Sequence, residues 1–130
     1  MKKILYILFA ATMFIACQKE DENGDLGAFW KVMSVEEHST GNVAYLTDES
    51  RFWAIQLDLL EIRTSGKESC FFRFQHTGDS LMVQGINSEN VDLKLWGIYD
   101  NCNERYAVEL LNSKSMILNS KNARVTFRKF

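Results

Sequence analysis

Three cysteines, two histidines and a scatter of carboxylates are the residues of this chain with chemistry to offer. The histidines form no metal or nucleophile pattern. His38 directly follows Glu36 and Glu37, and neighbours on an extended chain point to opposite faces, so they are poorly placed to share one ion. His76 stands just before Gly78, where an apolar segment ends, and reads as a surface residue. Asp58 and Glu61 sit on one stretch of chain, without the defined separation across a cleft that paired carboxylates need for glycoside chemistry. No Cys-x-x-Cys, His-Glu-x-x-His, Walker loop or Gly-x-Ser-x-Gly occurs. The expectation is a protein that is not an enzyme and carries no cofactor or metal. Cys17 stands apart. It ends an apolar run and is followed at once by Gln18-Lys19-Glu20-Asp21-Glu22, and its chemistry is covalent attachment.

The elements around Cys17 support that role. Lys2 and Lys3 give a positive start, and residues 4–16 are apolar or small throughout. That length fits the core of a signal peptide and falls short of a bilayer span. Phe14-Ile15-Ala16-Cys17 resembles a bacterial lipobox, with Phe14 in place of the usual Leu. The resemblance implies a signal peptide over residues 1–16, cleaved to leave Cys17 first, with a thioether-linked diacylglycerol and an amide-linked acyl chain such as palmitate. Three chains exceed the two signals that stable anchoring needs. The Lys-then-acidic run after the cysteine resembles the export signal of Bacteroidota lipoproteins. It implies an outer-membrane anchor with the protein at the cell surface; as a plain solvated tether it would leave the protein facing the periplasm. Residues 17–26, charged and containing Asn23-Gly24, are expected to be the acylated cysteine and its linker.

What remains, residues 27–130, has the composition of one small globular domain. The chain of 130 residues is 46% hydrophobic and 25% charged, with a net charge of −2. No cluster of Lys and Arg is present to grip phosphates, so nucleic acid is not an expected partner. Aromatics reach 12%, nine of them Phe, with no proline, a bias toward pleated sheet.

Alternation places the strands. Residues 29–36 alternate in part, with Trp30, Val32 and Ser34 on one face. Residues 43–46 form a short apolar run that suits strand or loop. From Arg51 to Thr64, Trp53, Ile55, Leu57 and Leu59 share a face before Leu60 and Ile62 switch parity, which predicts one long strand with a β-bulge; helical spacing of Ala54, Leu57 and Leu60 is the competing pattern. Ser65-Gly66-Lys67 turns the chain, Cys70, Phe72 and Phe74 face one way, Thr77-Gly78-Asp79 turns it again, and residues 81–86 return. Residues 91–99 suit either a strand or a helical turn closing one end. Tyr106, Val108 and Leu110 alternate, as do Ala123, Val125 and Phe127, with a short strand at 115–118 between turns. About eight short strands at such spacing predict an all-β fold, a small up-and-down antiparallel β-barrel.

Two stretches carry a family resemblance. Gly27-Ala28-Phe29-Trp30-Lys31-Val32 is similar to the opening strand of lipocalin-like (calycin-like) proteins, where a Gly precedes a Trp that plugs the barrel floor; the spacing here is Gly-x-x-Trp. Residues 110–118 and 123–130 resemble the last hairpins of small lipocalin-like domains in Bacteroidota lipoproteins. The resemblance implies a fold and an envelope setting, and no reaction. The expected core is Trp30, Trp53, Phe72, Phe74, Val125 and Phe127. Rings of about 150–250 Å² each leave little room in so small a barrel, so a filled or shallow interior is expected.

Three smaller readings complete the sequence. Cys70 and Cys102 could form a disulfide outside the cytoplasm, although parity puts Cys70 among core residues and Cys102 in a polar turn. Asp79-Ser80-Leu81 resembles a Bacteroidota O-glycosylation acceptor at Ser80, and equally suits a turn leading into a strand. Arg51, Arg63 and Arg73 with Trp53 could form a polar mouth, or be outer-face charges. The functional expectation is a membrane-anchored binding module for a small molecule, a glycan or a protein, with a filled-barrel interaction subunit of an envelope complex as the alternative.

Overall fold

A computed structural model describes residues 24–64, 69–86 and 91–130. The expected signal peptide over residues 1–16, Cys17, the acidic run behind it and the turns at Ser65-Gly66-Lys67 and 87–90 lie outside the described residues. Among the described residues nine strands form one sheet: β1 (Phe29–Glu37), β2 (Val43–Tyr45), β3 (Arg51–Gln56), β4 (Leu59–Thr64), β5 (Cys70–Thr77), β6 (Ser80–Gly85), β7 (Asn103–Leu111), β8 (Ser115–Asn119) and β9 (Ala123–Lys129). From β3 to β9 each strand pairs antiparallel with the next, and β9 returns to pair with β1 from Trp30↔Lys129 to Glu37↔Ala123. The sheet is therefore a closed up-and-down barrel of eight strands. Closure leaves few unpaired edges, which a chain with no proline would otherwise have to protect. One edge of β1 is shared: Phe29 to Lys31 pair with β3, and Ser34 to Glu36 with the short β2.

The barrel has a floor and a mouth. The floor is the end where β1 begins, together with the turns at 57–58, 78–79 and 112–114. The mouth carries the turns at 38–42 and 120–122 and the β6–β7 connection. A 3₁₀ turn, Gly24–Leu26, crosses under the floor. Leu26 is fully buried, and its carbonyl accepts a 2.9 Å hydrogen bond from Trp30 Nε1–H. The folded unit thus includes residues 24–26, and the boundary expected at Gly27 moves back: the linker's last apolar residue is part of the core.

Four further expectations need correction, the first three through local backbone geometry. Residues 51–64 are two strands and not one. Leu57-Asp58 makes a two-residue hairpin, pairing Gln56 with Leu59 and Ile55 with Leu60. A tight hairpin reverses parity along the chain just as a bulge does, which is why the pattern was ambiguous. The bulges lie elsewhere. In β1 the register against β9 shifts between Val32 and Ser34, so Val35, and not Ser34, turns into the core. In β7 it shifts between Val108 and Leu110, leaving Leu110 on the outer face. Finally, Phe74 is only partly buried, packed at the edge of the core.

The interior is aromatic. Trp30, Trp53, Phe72, Tyr106 and Phe127 are all at most 1% exposed. Trp53 meets Phe127 edge-on at 4.8 Å and Tyr106 at 5.8 Å between ring centroids, the arrangement favoured by ring quadrupoles. Val125, Val32, Leu81, Val83, Met116 and Leu118 fill the spaces between them. Trp30, Trp53, Phe72, Val125 and Phe127 thus sit where the alternation places them.

Candidate functional site

The chain stoppers its own mouth. Before β7, residues 91–102 fold inward. Lys94–Trp96 form one 3₁₀ turn, ended by Gly97 at φ 82°. Leu93 and Ile98, on either side, are buried in the core. Gly97 lies against β9, where an added Cβ would stand 2.2 Å from Val125 Cγ2. Positive φ and this close approach together demand glycine. Backbone carbonyls of the stopper then satisfy core donors: Trp53 Nε1–H donates to Trp96 O at 3.0 Å and Tyr106 O–H to Gly97 O at 2.7 Å. Unpaired, each buried donor would cost about 1–3 kcal/mol. Trp96 in turn donates from Nε1 to Arg63 O at 3.2 Å, and the Arg51 guanidinium lies over its ring while pairing with Glu49.

Polar ties hold the stopper to the rim. Tyr99 O–H donates to Glu37 Oε2 at 2.9 Å, and Ser39 O–H to Glu37 Oε1 at 3.0 Å. These bonds, Tyr99 first, hold the Glu37 carboxyl below the usual carboxylate range. Burial, and then the Glu37 carboxylate, push the Tyr99 phenol up to about 12. The Tyr106 phenol is also raised well above its usual value, by burial first and then by the Glu104 charge. Glu104 is only 2% exposed. Its carboxylate accepts from the Asp100 N–H at 3.0 Å and from Asn122 Nδ2 at 3.1 and 3.4 Å, tying the stopper to the β8–β9 turn. A carboxylate so satisfied is a cross-tie, and no substrate-facing acid emerges from it. Outside the stopper lie two open clefts. One of about 630 Å³ is bordered by residues 91–94 and 98–102. Another of about 380 Å³ lies between Met82, Arg105 and Lys121.

A stoppered eight-stranded up-and-down barrel with a Trp on its floor is the pattern that the family comparison decides. The family profile described as "Lipocalin-like domain" matches residues 12–130. The chain belongs to the lipocalin-like domain family. Among solved structures, the domain is similar to a lipocalin-like protein from Bacteroides uniformis ATCC 8492, with a TM-score of 0.68 and 19% identity over 82% of this chain and 100% of that one. It is similar also to an uncharacterized protein from Bacteroides eggerthii DSM 20697, with a TM-score of 0.61 and 18% identity over 79% and 98% of the two chains. No curated protein matches. At such identities the likeness is one of fold.

The residues singled out in the sequence of this lipocalin-like domain scatter. Cys70 points into the core beside Ile62, whereas Cys102 is an exposed free thiol in the stopper. The disulfide considered between them is therefore not formed: one sulfur faces inward from β5 and the other faces solvent. Ser80 opens β6 on the exposed side of the Gly78 turn, accessible as an acceptor hydroxyl must be. His38 bonds Asn119 Oδ1 at 2.7 Å, away from any ligand set, and among the described residues no group of His, Cys, Asp or Glu could hold a metal. Arg63 and Arg73 belong to the outer face, while Arg51 joins the stopper. Sequence reasoning missed Glu104, although a signal was there: it shares parity with Tyr106, so the alternation that buries the ring also buries the carboxylate.

Proposed function

We infer that this lipocalin-like domain is a non-catalytic binding module of the cell envelope, held at the outer membrane by lipid on Cys17, and that it engages a protein partner with its outer surface and mouth. It is read as an interaction subunit and not as a carrier that encloses its ligand. The carrying observation is the interior: the space a carrier would offer is taken by five aromatic rings and by Leu93 and Ile98 of the stopper. Ligand sites of drug size are usually clefts of about 300–1,000 Å³, and among the described residues clefts of about 630 and 380 Å³ open outside the stopper. The polar lining of the larger cleft, with Asp92, Lys94, Tyr99 and Asn101, favours a glycan as the second reading.

Extraction of the native protein in mild detergent, followed by intact-complex mass spectrometry, tests the choice. A stoichiometric envelope protein is expected on the complex. A stoichiometric hydrophobic small molecule would instead mean that the stopper withdraws and the barrel carries cargo. Metabolic labelling with a fatty-acid analogue tests the anchor: label should vanish in Cys17→Ala, and label that persists removes Cys17 from its role.

A further inference from the structure

The outer face near the floor is apolar where a solvated barrel wall should be polar. Phe29, Phe52 and Phe130 form one ring cluster, with centroids 6.0 and 5.0 Å apart. Phe130 is 79% exposed and Phe29 39%. Across β3 and β4 the surface continues: Phe29 is in register with Ala54, Ala54 with Glu61, and Glu61 with Phe71. Leu57, Leu59 and Phe71 are 68%, 40% and 41% exposed around an open hollow of about 180 Å³. Leu57 is also at φ 55°, and among the described residues it alone has positive φ without being glycine. A two-residue hairpin calls for Gly or Asn at such a position. A leucine there keeps an apolar side chain at the tip of the hairpin at the cost of backbone strain.

Two observations say what covers this face. The first is where the chain enters. Ile55 N–H donates to Ala28 O and Phe130 N–H to Phe29 O, so the point where the chain enters the barrel wall, Ala28-Phe29, lies beside the same strands. Seven residue steps separate Gly24 from Cys17. Fully extended they reach at most about 25 Å, roughly the width of a small barrel. The second is charge. The chain as a whole is −2, yet the side chains in register with the patch are mostly basic. Arg63 lies over the Phe29 ring and Lys129 over Trp30. Lys31 is paired with Phe52 and Arg128, and Arg73 with Leu59. Asp58 and Glu61 are the acids among them, held by Arg73 and Arg63. Apolar side chains ringed by Lys and Arg are what an anionic lipid surface receives.

We propose that the outer face of β1 and β3–β5 around Phe29, Leu57, Phe71 and Phe130 rests on the lipid bilayer, with these side chains in the headgroup layer and Lys31, Arg63 and Arg73 against lipid phosphates. This rests on the Cys17 anchor of the proposed function, and it orients the molecule: the wall of β1 and β3–β5 faces the membrane and the wall across the barrel, around β7 and β8, faces away from it.

The test uses the full chain carrying Phe130→Trp, mixed with vesicles of phosphatidylethanolamine and phosphatidylglycerol whose acyl chains are brominated. Flotation scores the anchor, and the added indole scores the face. The expected result is a blue shift and quenching of the increment over the parent protein. Lys121→Trp, at the mouth, should show neither, and Leu57→Asn should at least halve the Phe130→Trp signal. Flotation without quenching keeps the anchor and overturns the docking face. Quenching at high vesicle concentration without flotation keeps the face and removes the anchor. A protein partner that shields Phe130→Trp while vesicles leave it unchanged assigns the face to protein and also overturns the proposal.

Discussion

The floor and the mouth of this barrel are closed by different physics. At the floor, Leu26 and Trp30 are four residues apart, both fully buried, joined by one hydrogen bond inside an apolar setting. Closure there is local in sequence and dominated by burial. At the mouth, the stopper is joined to residues far away along the chain, Tyr99 to Glu37 and Trp96 to Trp53, and, through Glu104, which takes the Asp100 N–H, to Asn122. Those ties are mostly polar, and several are charged. Burial is unaffected by mild changes of pH, whereas hydrogen bonds to ionised groups are not. One end is built as a fixed plug and the other as a fastened one, and fastenings are what solution conditions can loosen.

The largest effect should come from breaking the floor. Trp30→Ala removes one of the two biggest fully buried side chains, and deletions of this kind cost about 3–5 kcal/mol. Denaturant unfolding should show the loss as a lower midpoint, for the whole barrel at once, since β1 pairs with β2, β3 and β9. A loss below about 1 kcal/mol would mean that the floor does not organise the core. Gly97→Ala asks the same of the mouth. The new methyl meets Val125 at 2.2 Å on a backbone at φ 82°, so overpacking and left-handed strain add to about 2–4 kcal/mol. Amide exchange should accelerate first in residues 91–102, with β1 and β9 following only at higher denaturant; uniform acceleration would show that the mouth is as integral as the floor.

The same contrast explains what could be read from the sequence. Trp30, Trp53, Phe72, Val125 and Phe127 were legible because alternation reports one side of a strand, and these strands keep their register around them. The errors fall where one residue changes the parity. Met33 and Glu109 stand at register shifts that redirect Val35 and Leu110, and neither is a residue type that marks a bulge. Leu57-Asp58 hid a hairpin because its turn carries leucine where glycine or asparagine would announce it. The stopper was legible only as a choice between a strand and a helical turn, because its hydrogen bonds are to partners such as Glu37 and Trp53, which no local pattern can name. Its two buried apolar residues and Gly97 become meaningful only once β9 lies beside them.

The smallest effect is the most diagnostic of the fastening. Tyr99→Phe removes one hydroxyl from the rim and leaves the ring, so the loss at neutral pH should be less than about 1 kcal/mol, because the pair is part-exposed and screened. Its value lies in the pH profile. Burial and then the Glu37 bond push the folded Tyr99 phenol up to about 12, above the roughly 10 of an unfolded tyrosine. Its contribution is therefore complete below pH ~10 and is lost as pH rises toward 12. Tyr106 is shifted the same way, so the alkaline decline should become shallower in Tyr99→Phe without vanishing. Glu37 has the opposite sign. Its folded value is lowered, chiefly by the Tyr99 bond, so its contribution is present above the usual carboxylate value and lost as pH falls through the lowered one. Removing the hydroxyl should flatten that acid limb as well. Urea midpoints of parent and variant across both limbs measure this directly: a change on both sides assigns both shifts to one bond. A variant whose profile stays parallel to the parent's would show that the rim tie carries no part of the closure at the mouth.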